Sequence, residues 1–138
     1  MCYHRGMAYR YFNPNPSGKN AGDCVIRALC AALGESWQAI YTALSVQGYK
    51  MHDWGNSDPV WGAYLRSRGF VRRAIPDTCP DCYTIGEFAR DHPKGVYVLG
   101  TGRHAIAVLD GGVVVDTWDS TSEVPVFYFE RSGGNGGV

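Results

Sequence analysis

The hydrophobic period changes once along this chain, and that change limits the folds open to it. Between residues 24 and 91 the apolar side chains recur every three or four positions; from residue 95 they recur every second position. The first spacing lays a stripe along an α-helix and the second lays a face along a β-strand. Helices followed by a run of strands predict an α+β chain, with N-terminal helices packed on a small C-terminal antiparallel β-sheet.

The elements can be placed in turn. Residues 1–19 read as an irregular or extended lead-in, with turn chemistry in "NPNPSGKN". Asp23 caps a first helix carrying Ile26, Leu29, Cys30 and Leu33, and Gly34 ends it. Ser36 caps a second helix with Trp37, Ile40, Tyr41 and Leu44 on its stripe and Gly48 as its stop. Residues 49–57 read as a loop. Asp58 and Pro59 then open a third helix that carries Trp61, Tyr64 and Leu65 and stops at Gly69. "FVRRAI" reads as a short strand. Thr84 and Glu87 form a capping box for a short fourth helix closed by Pro93. "GVYVLG", "HAIAVL", "VVVDTW" and "VPVFYFE" are the strands, with a hairpin turn at "DGG". Residues 1–131 read as one domain and 132–138, "SGGNGGV", as a flexible tail.

Charge and composition narrow the function. Thirteen basic and thirteen acidic residues cancel, which argues against a nucleic-acid partner. Arg66, Arg68, Arg72 and Arg73 are a local exception, read as a solvated helix end and the turn after it. The first twelve residues lack the apolar segment of a secretory signal, and no window approaches the roughly 20 apolar residues of a membrane span. No membrane association is expected, and the expected compartment is the cytoplasm, where thiols stay reduced. Five cysteines, an odd number, suit a disulfide framework poorly.

Chemistry concentrates on Cys24. A thiol attacks as its thiolate, and a helix N-terminus favours negative charge. Such a nucleophile needs an imidazole held by a third group. Among four histidines, His104 opens the strand "HAIAVL" behind the flexible "GTGR". A three-residue turn at 110–112 sets Asp116 diagonally from His104 on the same face; a two-residue turn sets Asp119 there instead. Asp23 either raises the pKa of the adjacent thiol or turns onto the helix N–H groups as a cap, using donors that would favour the thiolate. Arg27 reads equally as a solvated helix residue or as a salt bridge supporting the site. Trp54, Trp61 and Trp118 default to core.

Helix-borne Cys24, then His104 at a strand start, then Asp116 on the next strand resembles the papain-like cysteine peptidase superfamily. "HAIAVLDGGVVVDTW" is similar to the papain histidine strand and the Asn-Ser-Trp that follows, with Asp116-Thr117-Trp118 in that place. "GDCVIRAL" is similar to the Cys motif of ovarian-tumour-type deubiquitinases. Double-glycine peptidases and other compact bacterial and phage members share the order. The resemblance covers residues 20–119. It implies a papain-like fold and a thiol-dependent hydrolase, a cysteine peptidase or isopeptidase, acting on a peptide or protein through a Cys24–His104–Asp116 triad and an acyl-enzyme. Trp118 would shield the histidine–acid bond. The Gln that papain-type enzymes place before the nucleophile is absent, so Asn20, or Lys19, is the nearest oxyanion donor. Two alternatives stay open: an acyltransferase or transglutaminase-type enzyme, and a non-catalytic phage-encoded binding or inhibitor protein.

No cofactor is expected, because neither a phosphate-cradling GxxxxGK[ST] nor a strand-borne GxGxxG occurs. "CPDC" and "CYH" supply Cys79, Cys82, Cys2 and His4, which together would make a Cys3His zinc site. The favoured reading of Cys79 and Cys82 is a tight loop with two reduced thiols and no metal.

Overall fold

The computed structural model describes residues 9–131. Its elements run β1 (Tyr9–Tyr11), α1 (Cys24–Leu33), α2 (Trp37–Met51), α3 (Asp58–Ser67), β2 (Phe70–Ala74), α4 (Ile85–Asp91), β3 (Tyr97–Gly100), β4 (Ala105–Leu109), β5 (Val113–Asp116) and β6 (Phe127–Arg131). The class is α+β. The six strands form one sheet in the order β1-β5-β4-β3-β6-β2.

That sheet is mixed, which corrects the expectation of a purely antiparallel one. β1 pairs with β5 in parallel, Tyr9 to Val114 and Tyr11 to Asp116, while the other neighbours are antiparallel. The sequence leaves the lead-in open between irregular and extended because three residues are too few to show a period; Tyr9–Tyr11 is extended. The hairpin leaves the outer side of β5 with unpaired backbone groups, and β1 supplies their partners. Phe12 N–H continues the ladder by donating to the Asp116 carbonyl at 2.9 Å.

Local signals explain most helix ends. Gly34, left-handed at φ 67°, closes α1. Ser36 accepts from Ala39 N–H to cap α2, and the Thr84–Glu87 capping box is present in full at α4. The stop expected at Gly48 is wrong: α2 continues to Met51 and ends on left-handed His52. Gly48 is needed for closeness instead. A Cβ there would lie 2.5 Å from the Asp53 carbonyl oxygen, so the chain can fold back against α2 only over a glycine.

The sheet buries both faces. Ala105 and Ala107 of β4 pack with Leu29, Ile40, Trp61, Leu65 and Phe129 under α1–α3. Ile106 and Val108 point the other way, against Ile85 and Phe88 of α4. Small residues on the helical side let α1 lie on β4, and this packing positions the start of α1 beside the start of β4. No helix among the described residues is long and apolar enough to cross a membrane.

Candidate active site

Three element ends meet here. Cys24 is the first residue of α1, His104 immediately precedes β4, and Asp116 is the last residue of β5. Leu109 pairs with Val113 across a three-residue connection. Continued toward the strand ends, that register sets position 106 across from Asp116 and His104 one diagonal step away, as the three-residue turn predicted. The His104 Nε2 lies 2.6 Å from Asp116 Oδ2. Cys24 lies close enough to the same imidazole for their interaction to lower the thiol pKa and raise that of the ring. Asp119, the alternative orienting acid, is excluded: it is exposed, and its Oδ1 accepts from Thr121 N–H and Oγ1–H instead.

Asp116 is 1% exposed, and a carboxylate can be held there only with its lone pairs occupied. Besides His104, it accepts from Ser120 Oγ at 2.8 Å, from Thr117 N–H at 2.8 Å and from Arg27 Nη2 at 3.0 Å. Burial pushes its pKa up, but these donors outweigh burial and hold it below the ordinary carboxylate range.

Arg27 is 4% exposed, so it is not the solvated residue of one reading. Its Nη1 meets Asp23 Oδ1 at 2.9 Å while its Nη2 meets Asp116. One guanidinium thus ties the helix that carries the thiol to the strand that carries the acid. The same contact resolves the conflict over Asp23. Its side chain makes no cap bond to α1; it accepts from Arg27, from Trp37 Nε1 at 2.8 Å and from Asn15. The backbone of Asp23 lies outside the extended region usual for caps, and a guanidinium and an indole are buried within reach. The expected Asp23 cap is therefore only a backbone one, and its carboxylate does not compete for the first-turn N–H groups of α1.

These contacts set the proton balance. Burial raises the Cys24 thiol, but the His104 hydrogen bond, the Ala105 N–H and the positive charges of His104 and Arg27 outweigh it. The thiol titrates below its ordinary value. For His104 burial works against the cation, yet its bonds to Asp116 and Cys24 prevail and raise it to about 9. Both shifts run in the direction that favours a thiolate–imidazolium pair. Cys30, six residues along the same helix, is buried without such partners and is pushed up to about 11.

A cleft of about 1110 Å³ opens over Cys24 and His104, with Asn20 on its lining. All four tryptophans of the chain border it. Trp61 is buried, as expected. Trp118 and Trp54 are not core: Trp118 is 45% exposed and stacks on the His104 ring at 5.5 Å between centroids, and Trp54 is 79% exposed. Both stand outside the helices and strands, in loops where apolar character says nothing of burial.

The expected reduced thiols at "CPDC" are also corrected. Cys79 and Cys82 are joined to each other, their Cα atoms 4.4 Å apart, a separation within disulfide reach. That pairing removes two ligands of the zinc alternative; Cys2 and His4 lie outside the described residues. Among the described residues no group of three or more His, Cys, Asp or Glu side chains is placed to hold a metal ion.

Compared with family models, with curated proteins and with solved structures, the chain matches none. The site therefore rests on its own geometry. Ser120 went unnoticed in the sequence, where a serine in "TWDSTS" carries no signal. Arg27 had one: Asp23 and Arg27 stand at i and i+4 across the nucleophile.

Proposed function

We propose that the chain is a thiol-dependent acyl-transferring hydrolase, a cysteine peptidase or isopeptidase, with Cys24 as nucleophile, His104 as its proton partner and Asp116 as the acid that orients the imidazole. One observation carries this reading: Cys24 and His104 share the cleft and interact there, and that imidazole is 2.6 Å from a buried carboxylate. The resemblance to the papain-like superfamily, in residue order and in the stacking of Trp118 on His104, supports it.

In the reaction the Cys24 thiolate adds to an amide carbonyl, forming a C–S bond and a tetrahedral oxyanion. The Cys24 backbone N–H and the Asn20 side chain are the proposed oxyanion donors; removing one such donor costs about 10²–10³ in rate. Collapse breaks the C–N bond, and the His104 imidazolium gives its proton to the departing amine. Neutral His104 then takes a proton from water, which attacks the thioester. The acid is released and the thiol restored. A flexible peptide is the substrate class, and an added amine that captures the acyl group in place of water would identify a transferase.

Iodoacetamide labelling near neutral pH tests the nucleophile. Rapid labelling of the native protein at Cys24, lost in Cys24→Ala, is expected. Equally fast labelling in that variant would move the reactive thiol elsewhere and end the proposal.

A further inference from the structure

We propose that Trp54 and Asp53 form a subsite for a cationic side chain, lysine or arginine, of the peptide whose amide meets Cys24. This rests on the hydrolase reading above and assigns its substrate class.

Trp54 is displayed rather than left over. Leaving an indole in water forgoes the burial that usually stabilises a fold, yet the loop beneath it is closely built. Asp53 N–H donates to the Gly48 carbonyl at 3.0 Å, and Ser57 N–H to the Trp54 carbonyl at 3.1 Å. The Asp53 carboxylate accepts from Trp54 N–H at 2.7 Å and from Ser57 Oγ at 2.9 Å. Two glycines bring loop and α2 together: a Cβ on Gly48 would be 2.5 Å from the Asp53 carbonyl oxygen, and one on Gly55 would be 3.1 Å from that of Leu44. A rigid loop that holds an exposed indole on a cleft wall is a contact surface formed in advance, with little ordering left to do on binding.

Charge selects the occupant. Outside the Cys24–His104–Asp116 triad, the charged residues lining the cleft are Asp23, Arg27, Asp53, Asp58 and Arg103. Asp23 and Arg27 neutralise one another. Neither Asp53 nor Asp58 forms an ion pair with a described residue. Asp58 also borders a second groove that holds Arg66 and Arg72, so Asp53 is the carboxylate committed to the cleft. Arg103, next to His104, biases a cation away from that end and toward the loop. An indole face beside an unpaired carboxylate attracts an ammonium or guanidinium group by both ring quadrupole and charge.

The test uses tetrapeptidyl chloromethyl ketones that alkylate a nucleophilic cysteine. Lysine is placed at each of the four positions in turn, against norleucine at the same position, which keeps the carbon chain and removes the charge. Each rate is divided by the same protein's iodoacetamide rate. At one position lysine should exceed norleucine by about tenfold, within the range of a partly desolvated cation–π contact with a nearby anion. In Trp54→Ala and in Asp53→Asn, which keeps an acceptor for the loop, that ratio should fall to about 2 or less. A ratio near 1 at all four positions of the native protein would overturn the subsite, as would a preference that survives both substitutions. Failure of Cys24 to react with iodoacetamide would instead overturn the underlying thiol reading, and the subsite with it.

Discussion

His104 and His92 each lie against an aromatic ring, yet only one is placed to move a proton. His92, the residue that ends α4, stacks on Phe88 at 3.8 Å between centroids, and its Nδ1 lies 2.8 Å from the Phe88 carbonyl oxygen. Phe88, Tyr97 and Tyr128 surround it, and among the described residues no carboxylate pairs with its ring. His104 stacks on Trp118 and stands between a thiol and a buried acid that itself has three further donors. Ring contact is common to the two regions. The difference is a chain of buried charges, Asp23, Arg27 and Asp116, whose desolvation is offset by their mutual contacts and by the Trp37, His104, Thr117 and Ser120 donors around them. The α4 region is held by apolar area and edge-to-face rings; the Cys24 region accepts buried charge in order to fix the protonation of two groups.

The largest effect that separates the regions is on reactivity. Replacing His104 by Ala should slow iodoacetamide labelling of Cys24 by about 10²-fold or more, the range for loss of a positioned proton partner. His92→Ala should leave the rate within about twofold. Equal losses in both variants would mean that general loosening, and not the thiol–imidazole contact, governs Cys24.

Stability comes next, and here the two regions should look alike. Arg27→Met leaves two buried carboxylates without their shared cation, at a cost of about 3–5 kcal/mol. Phe88→Ala removes a fully buried ring on the other side of the sheet for about 3–5 kcal/mol. Urea unfolding would measure both. Only the Arg27 variant should also move the pH profile of Cys24 labelling to higher pH, because the guanidinium lowers the thiol pKa. A Phe88→Ala profile shifted as far would erase the distinction.

Much of this was legible in the residues. The period change predicted the class and "TIGE" the α4 capping box, while "DGG" left two registers open, of which the three-residue turn is the one that brings Asp116 to His104. What escaped notice was tertiary. β1 is three residues long and exists because β5 has an open edge. The extent of α2 follows from a backbone contact between residues 48 and 53, which no local pattern encodes. Arg27 reads equally as a solvated residue or a supporting salt bridge in the sequence, because its second partner, Asp116, lies 89 positions away in the chain. Burial of charge is decided by which elements converge, and convergence is what a linear pattern shows least.

pH should separate the regions more finely. His104 is raised from 6.5 to about 9, so the stability it contributes is complete below its unfolded value and is lost as pH rises through about 9. Asp116 is lowered from 3.8, so its contribution is present above that value and is lost as pH falls through its folded pKa. Cys24 opposes this, because its lowered pKa adds stability as pH rises toward the unfolded thiol value, so the His104 contribution is read in a Cys24→Ala background. There urea midpoints followed from pH 6 to pH 9.5 should decline; adding His104→Gln should remove most of that decline, and adding His92→Gln should leave it. An unchanged slope in His104→Gln would place the titration elsewhere.

The smallest effect tests how many donors the acid requires. Ser120 is fully buried and gives its hydroxyl proton to Asp116 Oδ2, the oxygen that also meets His104. Ser120→Ala removes one charge-assisted bond and leaves His104, Thr117 N–H and Arg27 in place, so about 2 kcal/mol of stability should be lost. The Ser120 bond is one of the contacts that lower the Asp116 pKa; without it that pKa rises toward the ordinary value, and acid unfolding should begin at higher pH. Freed of that competing donor, Oδ2 is the stronger acceptor for the imidazolium, so the pKa of His104, read from its ring resonances by NMR, should rise above about 9. Alanine at Ser17, an exposed hydroxyl bonded only to Asn15, should change none of the three measurements. If Ser120→Ala lowers stability but leaves the His104 titration where it was, Ser120 braces the backbone after β5 and does not tune the acid. The orienting function would then fall to Arg27 and Thr117 alone.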